Sequence, residues 1–426
     1  IFLIKIPFIF FIFLILFNFF IIRGTFGMYP LGKMIPNVSA NEYINKMSQN
    51  GVRAFITAYD VRSKFKKSKI DYIKETGFEN SIEKAFEIHK QTSNIDRENL
   101  LNNITYKTKK IDDKDYNVVV IMVESFGMPI LKYQSEEFDI MGNLKKHFEE
   151  DILFKNIISE GDGTIASLEA LLLNIPYRPN SFPFSQSDYA QTSFNFTPAF
   201  LYNNEGYNTS FIYGGDSTWR DLGKFVKYQG YQVVEGKQDI FSSIKVTKEE
   251  SEYFHPWGIY DEYLYDHILN KLEISNGKEM ILALSTNNHP PYNIPNGYKS
   301  KILSYSEDLK NHITGDFGLA EQRLKSYGYA LDSVGTFLDK FKQSRFKENT
   351  IVVITADNNT IEGIMKYDDN PIFTSKNIPI YFYLPKELKD RLKNDLSLYY
   401  FVMLGLSTGG RLQTLCNIKV KDFKED

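Results

Sequence analysis

Residues 117–124 read "NVVVIMVE", a β-branched and aliphatic run that stops abruptly at the carboxylate of Glu124. Three other segments share this form. "TSFIY" (209–213) leads into "GGDSTWRD", which holds Asp216, Trp219 and Arg220, and "MILALS" (280–285) leads into "TNNHPPY" with His289. "NTIVVIT" (349–355) leads into "ADNN" with Asp357 and Asn358. Continuous apolar runs of this length suit strands buried on both faces, and helical patterns lie between them. The pattern predicts an α/β sandwich around a mostly parallel sheet. Ligands collect at the carboxyl ends of such strands, so Glu124, Asp216, His289 and Asp357 are expected on one rim.

A fifth element, "EGDGTIASLEALLL" (160–173), runs from glycines into a helix whose leucines repeat at helical spacing, with Thr164 in its first turn. A helix start offers unpaired N–H groups and the positive end of a dipole to an anion. Thr164 reads either as a simple N-cap or as a hydroxyl nucleophile, which needs a metal or base to activate it at neutral pH. Glu124 and Asp357 are hard oxygen ligands that suit Mg, Mn or Ca and are usable by Zn. Arg220 suits an anionic substrate through paired donors, and Trp219 offers a contact face. His289 suits protonation of a leaving group or contact with a phosphate oxygen. Between these segments, Thr197 and Pro198 mark a helix start with Gly206 at its end, and residues 319–343 form a longer helical pattern.

The 426-residue chain carries 50 Lys+Arg against 53 Asp+Glu, a balance that leaves no broad basic surface for nucleic acid. With 42% hydrophobic residues the disordered class is excluded as well. One cysteine, Cys416, cannot by itself build a disulfide, a Cys-rich zinc site or an iron–sulfur cluster. Residues 1–22 are almost continuously apolar and long enough to cross a hydrocarbon core of roughly 30 Å, which predicts a transmembrane helix. The first residue is Ile1, and further sequence upstream is expected. Residues 23–112 are polar and charged, with a helix-like stretch at 79–91, and read as a connector that holds a soluble domain away from the bilayer.

The ordered motifs "VVVIMVESFG" (118–127), "GDGTIASLEALLL", "FIYGGDSTWRD", "HPWGIYDEYLYD" (255–266), "LSTNNHPPY" and "VVITADNN" resemble the lipoteichoic acid synthase and phosphoglycerol transferase group. These are sulfatase-like enzymes of the alkaline phosphatase superfamily. The resemblance implies that Glu124, Thr164, Asp357 and Asn358 bind one divalent metal, commonly manganese. It further implies that Thr164 attacks a lipid phosphodiester to form a phospho-threonine intermediate. Asp216, Trp219, Arg220 and His289 match the region that holds the head group. The implied partners are a membrane lipid donor with an anionic head group and a glycan or lipid acceptor, outside the cytoplasmic membrane. An arylsulfatase is disfavoured because the Cys/Ser-x-Pro-x-Arg motif is absent.

Two departures stand out. Asn358 occupies a position where the group usually has His, and a neutral amide oxygen is a weaker ligand for a transition metal. Past "NIPIYFYLPKEL" (377–388) the group's Gly-Ser-His-x-Asp segment is missing, so a catalytic domain over 113–395 is expected to be truncated. Residues 396–426 instead resemble the first arginine region of tyrosine recombinases, with Arg411 in the TG-x-R position. No later recombinase residues follow, and functional nucleic-acid binding is not expected. The rival readings are a catalytically inactive sulfatase-like remnant and a DNA-binding recombinase fragment.

Overall fold

The computed structural model describes residues 114–394, apart from 162, 176, 178–181, 360–364 and 367–370, together with 10–18, 81–90, 92–99 and scattered positions between 51 and 63. Residues 10–18, inside the run expected to span a membrane, are helical and exposed. The rest of that run, most of the 23–112 connector and the whole 396–426 tail lie outside the described residues. Among the described residues no helix is long and apolar enough to cross a membrane. The helix-like stretch at 79–91 contains the helix Ile82–Lys90.

The central sheet has seven strands: β1 (Asn117–Val123), β2 (Ile152–Ile158), β3 (Tyr207–Tyr213), β4 (Val233–Glu235), β7 (Lys278–Leu284), β8 (Thr350–Ala356) and β9 (Asn377–Tyr383). Their order is β2-β9-β8-β1-β7-β3-β4. A small antiparallel pair, β5 (Phe254–His255) and β6 (Gly258–Ile259), stands apart. Strands β1, β3, β4, β7 and β8 run parallel. Only β9 is reversed, pairing antiparallel with β8 and with β2. The mostly parallel α/β sheet expected from the apolar runs is therefore present.

Those runs are apolar throughout because alternate residues feed two cores. Val119, Ile121 and Val123 of β1, with Ile281 and Ala283 of β7 and Val352, Ile354 and Ala356 of β8, pack on one face. There they meet helix α1 (Leu144–Glu150), helix α6 (Asp261–Ile274) through Leu264, Ile268 and Leu272, and helix α7 (Phe317–Gln343) through Leu324 to Phe341. Met122, Met280, Leu282, Leu284 and Phe211 face the other way. They meet α2 (Thr164–Leu173), α3 (Pro198–Asn204) and α4 (Leu222–Tyr228), while α5 (Lys237–Ser242) follows β4. Each large side chain so buried contributes roughly 1.5–3 kcal/mol, and the sheet can only be satisfied with helices on both sides. Thr197 caps α3 by accepting from the Phe200 N–H, Pro198 opens the helix, and Gly206 follows it at φ +77°.

Register sets the functional rim. Val123 pairs with Ala356, Met122 with Leu284, and Tyr213 with the same Leu284, so four strands end level. The next residues along the chain are Glu124, Asp357, Ser285 and Gly214. On the first face, α7 and the start of α1 approach closely at Gly335, where a Cβ would stand 2.2 Å from the Leu144 nitrogen and 2.3 Å from the Asn143 carbonyl carbon. Gly335→Ala should therefore lower the unfolding free energy by about 1–3 kcal/mol, despite alanine's better helix propensity. Gly297→Ala, where a Cβ meets nothing within 4 Å, is the control with little expected change. Urea titration of both variants measures the difference.

Candidate active site

Thr164 begins α2, and its hydroxyl sits between two buried carboxylates. Its Oγ lies 2.6 Å from Asp357 Oδ2 and 3.2 Å from Glu124 Oε2. A hydroxyl has one hydrogen, so it donates to one of these oxygens at a time. Ser125, at φ 57°, turns the chain sharply after Glu124; its N–H donates to Asp357 Oδ1 at 2.7 Å and its Oγ to Glu124 Oε1 at 2.7 Å. The Asn358 N–H also donates to Asp357 Oδ1, at 2.7 Å, and the Ser167 hydroxyl one turn along α2 donates to the Asp357 carbonyl. Helix, β1 and β8 are thereby locked around one point.

Burial disfavours charge on both carboxylates. For Asp357 the neighbouring Glu124 adds to that effect, and its carboxyl is driven well above the usual range. For Glu124 burial is outweighed by the His289 imidazole, whose Nε2 is 3.4 Å away, and by hydrogen bonds from its neighbours, so its pKa is lowered. His289 shows the reciprocal shift: burial opposes its charge, but Glu124 and then Asp357 raise it. His289 is stacked on Trp257, with ring centroids 4.5 Å apart.

Glu124, Thr164, Asp357 and His289 are thus brought together, and Asn358 is adjacent through the backbone. The fit of this set to a cation rests on its donors. Two carboxylates and a hydroxyl converge, and the buried Asn358 Oδ1 has no hydrogen-bond partner. These are hard oxygen donors for a divalent ion, which would relieve the repulsion between the two carboxylates. A second grouping, His147, Glu150 and Asp151, lies within metal-ligand spacing. There Lys342 and Lys389 already sit 2.7 Å from the two Asp151 oxygens, which makes it an ion-pair network.

Asp216, Trp219 and Arg220 follow β3. Asp216 Oδ1 accepts from the Thr218 N–H and hydroxyl at 3.0 and 2.6 Å, while Oδ2 faces Lys237 at 3.6 Å, so this carboxylate is engaged in its own turn. Trp219 packs against Tyr213, and the Arg220 guanidinium lies 5.2 Å from the Trp219 ring centre. Tyr213 links the two groups: burial, then the charges of Glu124, Asp216 and Asp357, push its hydroxyl pKa upward.

Sequence reasoning assigned no role to Ser125, Tyr213, Trp257 or Asp261. Asp261, at the start of α6, accepts from the Thr286 and Asn287 N–H groups at 3.1 and 3.2 Å, while the Asn287 side chain accepts from the Asp261 N–H at 2.9 Å. These reciprocal bonds pin the loop that carries His289. The aspartate stood in the sequence inside "HPWGIYDEYLYD", where an acidic residue opening a helix gave no sign of a loop partner.

The sulfatase family profile matches residues 116–371. The chain belongs to the sulfatase family. As a sulfatase-family chain it is 25% identical over 282 residues to phosphoglycerol transferase I of Escherichia coli, covering 62% of this chain and 34% of that protein. It therefore spans about a third of the length of the curated relatives it matches. A lipoteichoic acid synthase from Listeria monocytogenes superposes with a TM-score of 0.54 at 17% identity, covering 66% of this chain and 69% of the other. An alkaline phosphatase superfamily protein from Vibrio parahaemolyticus gives 0.51 at 23% identity, covering 65% and 61%. These likenesses establish the alkaline-phosphatase-like fold for this sulfatase-family domain.

Burial raises the Asp261 pKa to about 7. An aspartate in the unfolded chain titrates near 4, so between roughly pH 4 and 7 the folded state holds a proton that the unfolded state has lost, and stability falls as pH rises through that window. Asp261→Asn, which keeps the Oδ1 acceptor, should flatten this part of the stability profile. Thermal unfolding at pH 4.5, 6 and 7.5 checks it; an unchanged slope would show that Asp261 titrates normally.

Proposed function

We propose that this chain is a membrane-anchored, metal-dependent phosphodiester transferase or hydrolase that acts on phosphoglycerol or a similar head group through a Thr164 nucleophile. The observation that supports it most is the Thr164 hydroxyl placed between the Glu124 and Asp357 carboxylates at the start of a helix. A divalent cation held by Glu124, Thr164, Asp357 and Asn358, with manganese the leading choice, would supply positive charge to the attacking hydroxyl and to a phosphoryl oxygen. In the first step Thr164 Oγ gives its proton to Asp357 Oδ2, 2.6 Å away, and bonds to phosphorus, while the phosphorus–oxygen bond to the lipid breaks and the leaving alcohol takes a proton from His289 Nε2. In the second an acceptor hydroxyl, or water, gives its proton to His289 and bonds to phosphorus, while the bond from phosphorus to Thr164 breaks and Thr164 Oγ recovers its proton from Asp357. The unpaired N–H groups of the first turn of α2 favour the negative charge that builds on phosphorus-bound oxygens.

Arg220 and Trp219 are the proposed head-group contacts, and the similarity to phosphoglycerol transferase I favours a lipid donor and a glycan or lipid acceptor. Residues 1–22 are the proposed membrane anchor, 23–112 the connector, 113–395 the catalytic domain on the extracytoplasmic side, and 396–426 a recombinase-like appendage without a DNA-binding role.

Thr164→Ala should lower manganese-dependent turnover of a fluorescent phosphatidylglycerol by at least about 10³-fold, while costing only about 1 kcal/mol of stability for the lost hydrogen bond. Full activity in this variant would defeat the nucleophile assignment. A folded wild-type protein with no metal and no turnover would favour an inert remnant. Asn358→His should strengthen zinc binding relative to magnesium, since imidazole is the better donor for a transition metal. Calorimetric titration with each ion measures the ratio, and an unchanged ratio would remove residue 358 from the ligand set.

A further inference from the structure

Arg220 is held by an unusual set of partners. Its Nη1 donates to the Gln186 side-chain oxygen at 2.7 Å and its guanidinium leans on the Trp219 ring. Among the described residues it makes no ion pair, so both of its contacts are neutral. The backbone is strained to reach this arrangement: Arg220 and Asp221 are consecutive non-glycine residues in the left-handed region, at φ 53° and 56°.

Gln186 is itself anchored. It closes the short 3-10 turn Phe184–Gln186, and the first two N–H groups of that turn donate to a single buried carboxylate, Glu169, at 3.0 Å from Phe184 and 2.9 Å from Ser185. Glu169 lies on α2, the helix that begins with Thr164. One rigid helix therefore carries the candidate nucleophile at its start and, further along, the carboxylate that fixes the turn gripping Arg220. Glu169 accepts from these two backbone donors and also acts on Arg220 through its charge, which favours the charged guanidinium, while the group hydrogen-bonded to Arg220 is an amide oxygen.

We propose that Gln186 is a positioning residue that holds the Arg220 guanidinium, with no carboxylate bonded to it, in register with Thr164 to receive the phosphate of an anionic head group. This rests on the head-group role given to Arg220 above. A carboxylate at position 186 would hold the arginine equally well but consume its charge, whereas an amide leaves the remaining N–H donors and the full positive charge for the ligand.

The test is calorimetric binding of glycerol phosphate to the full-length protein in the presence of manganese, which requires no turnover. Gln186→Ala should weaken binding about 3–10-fold and Gln186→Glu by more, at unchanged melting temperature. In an Arg220→Gln background, Gln186→Ala should add nothing, since its effect is carried by the arginine. Binding unchanged in Gln186→Glu, or an additive loss in the double variant, would overturn the positioning role alone. No effect of Arg220→Gln, or no binding by the wild type, would overturn the head-group assignment and this inference with it. The nucleophile assignment is judged separately, by the Thr164→Ala turnover.

Discussion

Two carboxylates buried at the ends of neighbouring strands, facing one hydroxyl, form the constraint around which the rest of the rim is arranged. Left to themselves, Glu124 and Asp357 repel, and the fold tolerates them by surrounding them with donors: two backbone N–H groups on Asp357 Oδ1, the Ser125 hydroxyl and His289 on Glu124, and Thr164 between them. Two carboxylates buried this close push their titrations apart, with Asp357 raised and Glu124 lowered, a pattern that clusters at functional sites. The pair also explains why the helix of Thr164 is tied down twice, by Thr164 itself and by Ser167 to the Asp357 carbonyl. Any shift of that helix would leave a buried carboxylate without its donor.

Strain is distributed accordingly. The non-glycine residues with positive φ among those described are Ser125, Asn174, Arg220, Asp221, Asn288 and Tyr292. All but Asn174, which ends α2, lie just past the carboxyl ends of β1, β3 and β7. The sheet beneath is regular and well packed on both faces, so the backbone tension is borne by the loops and supported by the layers. That division lets turns such as Ser125 and Arg220–Asp221 keep orientations that short peptides would not hold.

Much of this was legible in the sequence because parallel strands buried on both faces write themselves as unbroken apolar runs. The runs of β1, β3, β7 and β8 each stopped at or shortly before polar residues, and the register of the sheet brings those ends level. The partners of the sheet's edges were not legible: β2 is interrupted by Lys155 and Asn156, β4 is only three residues long, and β9 carries a proline, so none shows the same pattern. Asp216 was legible as a polar residue after a strand, but not its engagement with Thr218 and Lys237, which depends on turn geometry. Asp261 and Glu169 were hidden for a related reason. Each turns its carboxyl group to backbone N–H groups of a distant segment, and backbone donors carry no sequence signature.

The pairing of β1 also bears on how the chain comes to exist in its folded form. Val118 is flanked in the sheet by Met280 on one side and Ile351 on the other, so the central strand emerges long before either neighbour has been made. Until both arrive, a run of apolar residues with two open edges has nothing to pair with, and local contacts cannot substitute for parallel ones. The candidate site inherits this delay, since Glu124 is among the first of its residues to be synthesised and Asp357 and Asn358 are the last. An emerging chain would thus expose sticky apolar edges for most of its length, and its candidate site would be completed late.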